Sequence, residues 1–146
     1  MRFRYAFQKI VDLKENEKTQ AEWLLADALG RMRQEEEELT KLHEAKQVLQ
    51  EELHQASSAR TTVSNLMLLQ SYVDHMDGRI KVQREEVQQA HTFVQLKQEA
   101  LSGKMLEEKL WTKAKERAFE RYHSELLKRE QNQLDEMATN RYLRPS

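Results

Sequence analysis

The chain has 146 residues, the length of one domain, and is 34% charged and 38% apolar with a mean hydropathy of −0.91. Its 24 basic and 25 acidic side chains nearly cancel, which leaves no basic excess for counterion release from nucleic acid. With no cysteine, disulfides and thiolate metal sites are excluded.

Three glycines and one proline, Pro145, are the only strong helix breakers. A chain rich in Ala, Glu, Lys, Leu, Arg and Gln with so few breakers has the profile of long helices or coiled coil. Disorder is the competing reading of a polar chain. The near-zero net charge and the periodic apolar residues argue against it. No apolar run approaches the ~20 residues of a membrane span. Arg2 and Arg4 precede Tyr5–Phe7, but Gln8, Lys9 and Asp12 interrupt at once, so no signal peptide is expected. The chain reads as cytosolic.

The N-terminal stretch carries the loose pattern Phe3, Phe7, Ile10, Ala21 and Leu24. From Leu25 a regular seam takes over, through Leu25, Ala28, Met32, Glu35, Leu39, Leu42, Lys46, Leu49, Leu53 and Ala56. Its alternating steps of three and four give the 3.5-residue repeat of a coiled coil. A stutter near Leu24/Leu25 is expected to join the two frames. Ser57, Ser58, Ala59, Arg60, Thr61 and Thr62 then form the one small, hydroxylated stretch. Such residues favour caps over helix interiors, so the hairpin loop is placed at about 58–62, with Thr61 or Thr62 as the cap.

The second seam passes through Leu66, Leu69, Val73, Met76, Ile80, Gln83, Val87, Ala90, Val94, Lys97 and Leu101. Beyond that it is expected to drift through Met105, Trp111, Ala118, Phe119, Tyr122 and Leu126. Gly78 and Gly103 each cost about 1 kcal/mol against Ala in a helix and read as soft points, not ends. The expected fold is therefore all-α: a single domain over 1–146, formed by a long antiparallel two-helix coiled coil, or α-hairpin. Helix one is expected at about 3–57 and a longer helix two at about 63–142.

Folding at residue 59 or 60 sets Leu42 near Met76, Leu39 near Ile80 and Phe7 near Trp111. Glu35 falls opposite Gln83, a matched polar pair that would fix register. Lys46 falls near Val73 without a polar partner, its stem packed and its ammonium snorkelling. On this arithmetic residues beyond about 117 have no intramolecular partner. The overhang would then expose Phe119, Tyr122, Leu126 and Leu127 as a stripe for a protein contact.

No constellation carries chemistry. His43-Glu44 opens like a zinc-protease motif, but Gln47 stands where the second histidine is needed. Asp74 and Asp77 lack the acidic spacing of a calcium loop, and the dispersed glycines make no phosphate loop. A two-helix rod has no closed pocket, so no enzymatic activity, metal or cofactor is expected. The aromatic residues at the N-terminus are expected to close the open end by packing, with partner contact as the alternative. The basic, amphipathic stretch Arg2–Lys14 adds surface association with a membrane as a weaker option.

The run Phe3-Arg4-Tyr5-Ala6-Phe7-Gln8-Lys9-Ile10-Val11-Asp12-Leu13-Lys14-Glu15 resembles the opening of the FliJ family, coiled-coil proteins of the flagellar export apparatus. Gln133-Leu134-Asp135-Glu136-Met137-Ala138-Thr139-Asn140-Arg141 is similar to the family's close, and Trp111-Thr112-Lys113-Ala114-Lys115-Glu116-Arg117 to its second-helix segment. In order, at this length and around one central hairpin, these motifs cover essentially the whole chain. The resemblance implies a soluble, stalk-like part of the flagellar type III secretion system, serving flagellum assembly, motility and chemotaxis. Its implied partners are the hexameric export ATPase (FliI), the export-gate membrane protein (FlhA) and substrate chaperones. Its implied place is the cytoplasmic side of the cell membrane at the flagellar base, peripheral and without membrane insertion. The family's gate-facing patch would fall on Leu42, Ala45, Leu49, Tyr72, Met76 and Gln83. Ala45 and Leu49 stand where the family carries aromatics, and several of these positions coincide with the seam. A scaffolding rod and a rotary-ATPase central-stalk subunit are the rival readings, and the sequence leaves the oligomeric state open.

Overall fold

The computed structural model describes residues 3–143 and consists of two helices, α1 (Gln8–Ser58) and α2 (Val63–Leu143), with no strand among the described residues. Residues 59–62 form the loop. Hydroxyl groups close both helix ends beside it. Ser57 and Ser58 each donate to the His54 carbonyl (2.8 and 3.0 Å), and Thr62 Oγ1 accepts from the Asn65 backbone N–H at 3.2 Å. Thr62 is thus the α2 cap, satisfying one of the orphan donors of a first helical turn. Helix α2 runs through Gly78 and Gly103 without a break and with no positive φ.

The contacts between the helices fall into two units, one formed by residues 3–20 and 102–143, the other by Ala21–Leu101. In the second unit, as α1 advances from Arg31 through Glu35 to Lys46, its partner on α2 retreats from Glu86 through Gln83 to Asp77. The first unit shows the same order, with Phe7 against Trp111 and Lys14 against Glu107. The pairing is antiparallel in each.

Every expected seam position from Leu25 to Ala56 and from Leu66 to Leu101 is buried or half-buried. Ala28, Leu42, Val73, Ile80, Ala90 and Val94 are the most enclosed side chains of this unit after Ala21 is set aside. No large side chain is completely enclosed, because two helices can shield only the stripe where they meet. The Gln83 amide donates to both the Glu35 carboxylate (2.6 Å) and the Glu35 backbone carbonyl (3.0 Å). This is the polar seam pair that the fold-back arithmetic sets opposite each other. Lys46 differs from expectation. It is not left to snorkel but forms an ion pair with Asp77 of α2, four residues beyond Val73, within reach of its long stem.

The expected stutter is absent. Stepping back from Leu25 by four and three gives Ala21, Lys18, Lys14 and Val11, and all four are buried or half-buried. The spacing of α1 therefore keeps one frame, and the apparent shift arose because two of its positions are lysines. Helix α2 behaves alike. Its frame continues through Lys104, Glu108, Trp111, Lys115, Ala118 and Tyr122, all half-buried, while Met105 is exposed. The drift through Met105 came from following apolar residues where the seam itself turns ionic.

Helix α1 also starts at Gln8, later than the expected 3. Residues 3–5 have no regular structure and 6–7 form a turn closed by the Gln8 backbone N–H donating to the Tyr5 carbonyl, and ring contacts explain the change. Phe7 meets Trp111 at 5.9 Å while Phe3 meets Phe119 and Tyr122 at 5.2 and 5.3 Å. Trp111 and Phe119 lie about 12 Å apart along α2, and four helical residues would cover only about 6 Å. A non-helical start covers more of that distance than a helical one.

Candidate contact surfaces

Six charged side chains fill the seam of the first unit. Lys14 Nζ lies 3.1 Å from Glu107 and 3.5 Å from Glu17. Lys104 Nζ lies 3.1 Å from Glu17 and 3.7 Å from Glu107. Lys18 pairs with Glu108 at 2.8 Å, and these two side chains keep only 29% and 19% of their exposure. The network joins α1 to α2 by charge where the neighbouring unit uses apolar contact. Its Lys14 ammonium is pushed above the ordinary lysine value, chiefly by its hydrogen bond to Glu107. The Glu17 carboxyl is held below the ordinary range, chiefly by its hydrogen bond from Lys104.

These directions fix a pH dependence. A carboxyl lowered by folding contributes stability above its unfolded value and loses it as pH falls through the folded one. A raised lysine contributes below its unfolded value and loses it as pH rises through the folded one. The melting temperature, followed by circular dichroism at the helical band, is expected to be flat near neutrality. It should fall as pH drops below about 4 and again as it climbs past about 10.5. High salt should lower the plateau, since the pairs are only partly screened from solvent.

The residues expected on the overhang are placed differently from the arithmetic. Phe119 and Tyr122 do have an intramolecular partner, Phe3, because the non-helical segment 3–7 reaches past residue 117. Phe119 keeps half of its surface and stacks on His123, while Leu126 is half-buried. Beyond it every described residue from Leu127 to Leu143 is exposed, with Leu127, Leu134, Met137, Tyr142 and Leu143 as apolar members. Of the gate-facing set, Leu42 is buried at 5% exposure, and Ala45, Leu49, Met76 and Gln83 are half-buried. Tyr72 is exposed at 49%, beside the exposed Leu68. Trp23 lies open at 66%.

The depressions on this surface are open grooves between side chains. Among the described residues no three His, Asp or Glu side chains gather as a metal site, and no helix is long and apolar enough to cross a membrane. The ionic seam is the feature that sequence reasoning missed. Extending the 3–4 frame through the lysines, instead of stopping at them, would have found it.

Two long helices, antiparallel across a thin seam that is apolar in one unit and ionic in the other, define a coiled-coil hairpin protein. The family described as "Flagellar FliJ protein" matches residues 3–146. The Flagellar FliJ protein of Bacillus subtilis is 24% identical over 143 residues, covering 98% of this chain and 97% of that protein. A solved Chlamydia trachomatis structure described as a YscO homolog superposes with a TM-score of 0.76 at 17% identity, over 97% of this chain and 96% of the other. That likeness is one of fold. The chain belongs to the FliJ family of flagellar proteins.

Proposed function

We propose that this protein is a stalk-like component of the flagellar type III export apparatus and acts by contact, not by chemistry of its own. The exposed end of α2, residues 127–143, engages the ring of the export ATPase (FliI). The protein's helical flank engages the export gate (FlhA), and export chaperones are further partners. Its place is peripheral, on the cytoplasmic side of the membrane at the flagellar base.

The observation that carries this reading is the inequality of the helices. Helix α2 has 81 residues against 51 in α1, and residues 127–143 present apolar side chains to solvent. A monomeric protein seldom leaves such a stripe uncovered without a partner for it. For the gate contact the accessible member of the patch is Tyr72, while Ala45, Leu49 and Met76 are half-buried. Leu42 supports that contact from within the seam.

The test is ATP turnover by the purified export ATPase with and without this protein, together with a pull-down between the two. Turnover is expected to rise several-fold with stoichiometric protein, through hexamer assembly. Unchanged turnover and no capture would favour a scaffolding rod, for which sedimentation should show self-association instead.

A further inference from the structure

We propose that the surface around the non-helical segment 3–7 docks on an anionic lipid bilayer. Two grooves border this segment and share Tyr5. One is lined by Phe3, Arg4, Tyr5, Ala6, Gln8, Lys9 and Lys115. The other is lined by Tyr5, Phe7, Ala114, Arg117, Ala118, Arg121, Tyr122 and Glu125. Together they hold five cations, Arg4, Lys9, Lys115, Arg117 and Arg121, against one carboxylate, Glu125.

The state of those cations separates this surface from the seam of the same unit. Lys14, Lys18 and Lys104 are all neutralised by glutamates at 2.8–3.1 Å. None of the five groove cations forms an ion pair with another described residue. Arg4, Lys9, Arg117 and Arg121 are exposed, so their charge is open to an outside anion.

The aromatic residues select the kind of anion. Phe7 lines the second groove and is half-exposed, and Tyr5 sits between the grooves. Rings flanked by long cationic stems are the pattern of an interfacial contact, with rings at headgroup depth and charges on the phosphates. Five flexible cations without fixed acceptors suit laterally mobile headgroups, whose attraction accumulates charge by charge. An acidic protein would be met by the same charges, and binding to vesicles that contain no protein separates the two. The inference deepens the peripheral membrane location proposed above. Its test contains neither ATPase nor gate, so it can fail while the stalk reading stands.

The experiment is co-sedimentation of the full chain with phosphatidylcholine vesicles, with and without phosphatidylglycerol, at low and at physiological salt. The expected result is partition onto the anionic vesicles alone, weakening as salt rises. Neutralising Arg4→Gln and Arg121→Gln together should lower the partition about 25-fold, at about fivefold per cation. The far-UV circular dichroism should be unchanged. Arg33→Gln with Arg84→Gln, outside this surface, should leave partition as it is. Phe7→Ala should weaken the binding that survives at physiological salt. Equal partition onto both vesicle types, an unchanged partition in the R4Q/R121Q variant, or no binding at low salt would overturn the proposal.

Discussion

Placing leucine at Lys14, Lys18, Lys104 and Glu108 together should raise the melting temperature. These four stand in the 3–4 frame at positions that elsewhere hold Leu, Val, Ile and Ala. Their pairs are half-buried, so desolvation offsets much of their attraction. Replacing ion pairs that are partly out of water by well-packed apolar residues is often neutral or stabilising, and the rise is expected to be on the order of a few °C in Tm. Glu17 and Glu107 lose their lysines, but their side chains retain 27% and 44% of their exposure and can be rehydrated. Thermal melts at neutral pH give the answer, and a lower Tm in a variant of unchanged oligomeric state would reject the argument. A single Lys18→Leu should act the other way, because it strands Glu108 beside an apolar neighbour. The cost of the fourfold change is expected in specificity. An apolar seam accepts a second copy more readily than one with matched charges, and sedimentation should reveal it.

Removing residues 119–146 is the second large effect. The deletion takes away the exposed stretch of α2 together with Phe119 and Tyr122, on which Phe3 packs. It spares the ionic network and the whole of Ala21–Leu101. The truncated protein should keep most of its helical dichroism per residue and should lose stimulation of the export ATPase. Full stimulation by the truncated chain would mean that the ring is engaged by another part of the molecule. Phe3→Ala in the full chain separates the two contributions. It loosens the segment 3–7 but leaves the exposed stripe of α2 in place, so stimulation should largely survive.

The paired helices of Ala21–Leu101 were legible because hydrophobic periodicity is a strong signal wherever the seam is apolar. Leu25, Met32, Leu39, Leu42, Val73, Ile80 and Val94 fix the frame of both helices, and Glu35 with Gln83 confirms their register. The other unit was harder for a physical reason. Its seam positions are held by Lys14, Lys18, Lys104 and Glu108, whose stems pack while their heads pair. A rule that counts only apolar residues sees there a shift or a drift. The non-helical start at residues 3–7 was hidden because helix propensity is local. The need to span from Trp111 to Phe119 is a tertiary demand. As for the candidate surfaces, their composition could be read but not which side of each helix faces outward. Tyr72 and Leu42 look equally apolar in the sequence, yet one is half-exposed and the other enclosed.

The four-residue loop at 59–62 also sets the order in which the chain can assemble. Contacts beside it join residues that are close in sequence, whereas Phe3 and Phe119 close a loop nearly fourfold longer than Lys46 and Asp77 do. Making the distant contact first would cost about 1 kcal/mol more in chain entropy. Helix pairing therefore propagates from the turn outward, one interhelical step at a time. The ionic stretch, far from the turn, is expected to close late.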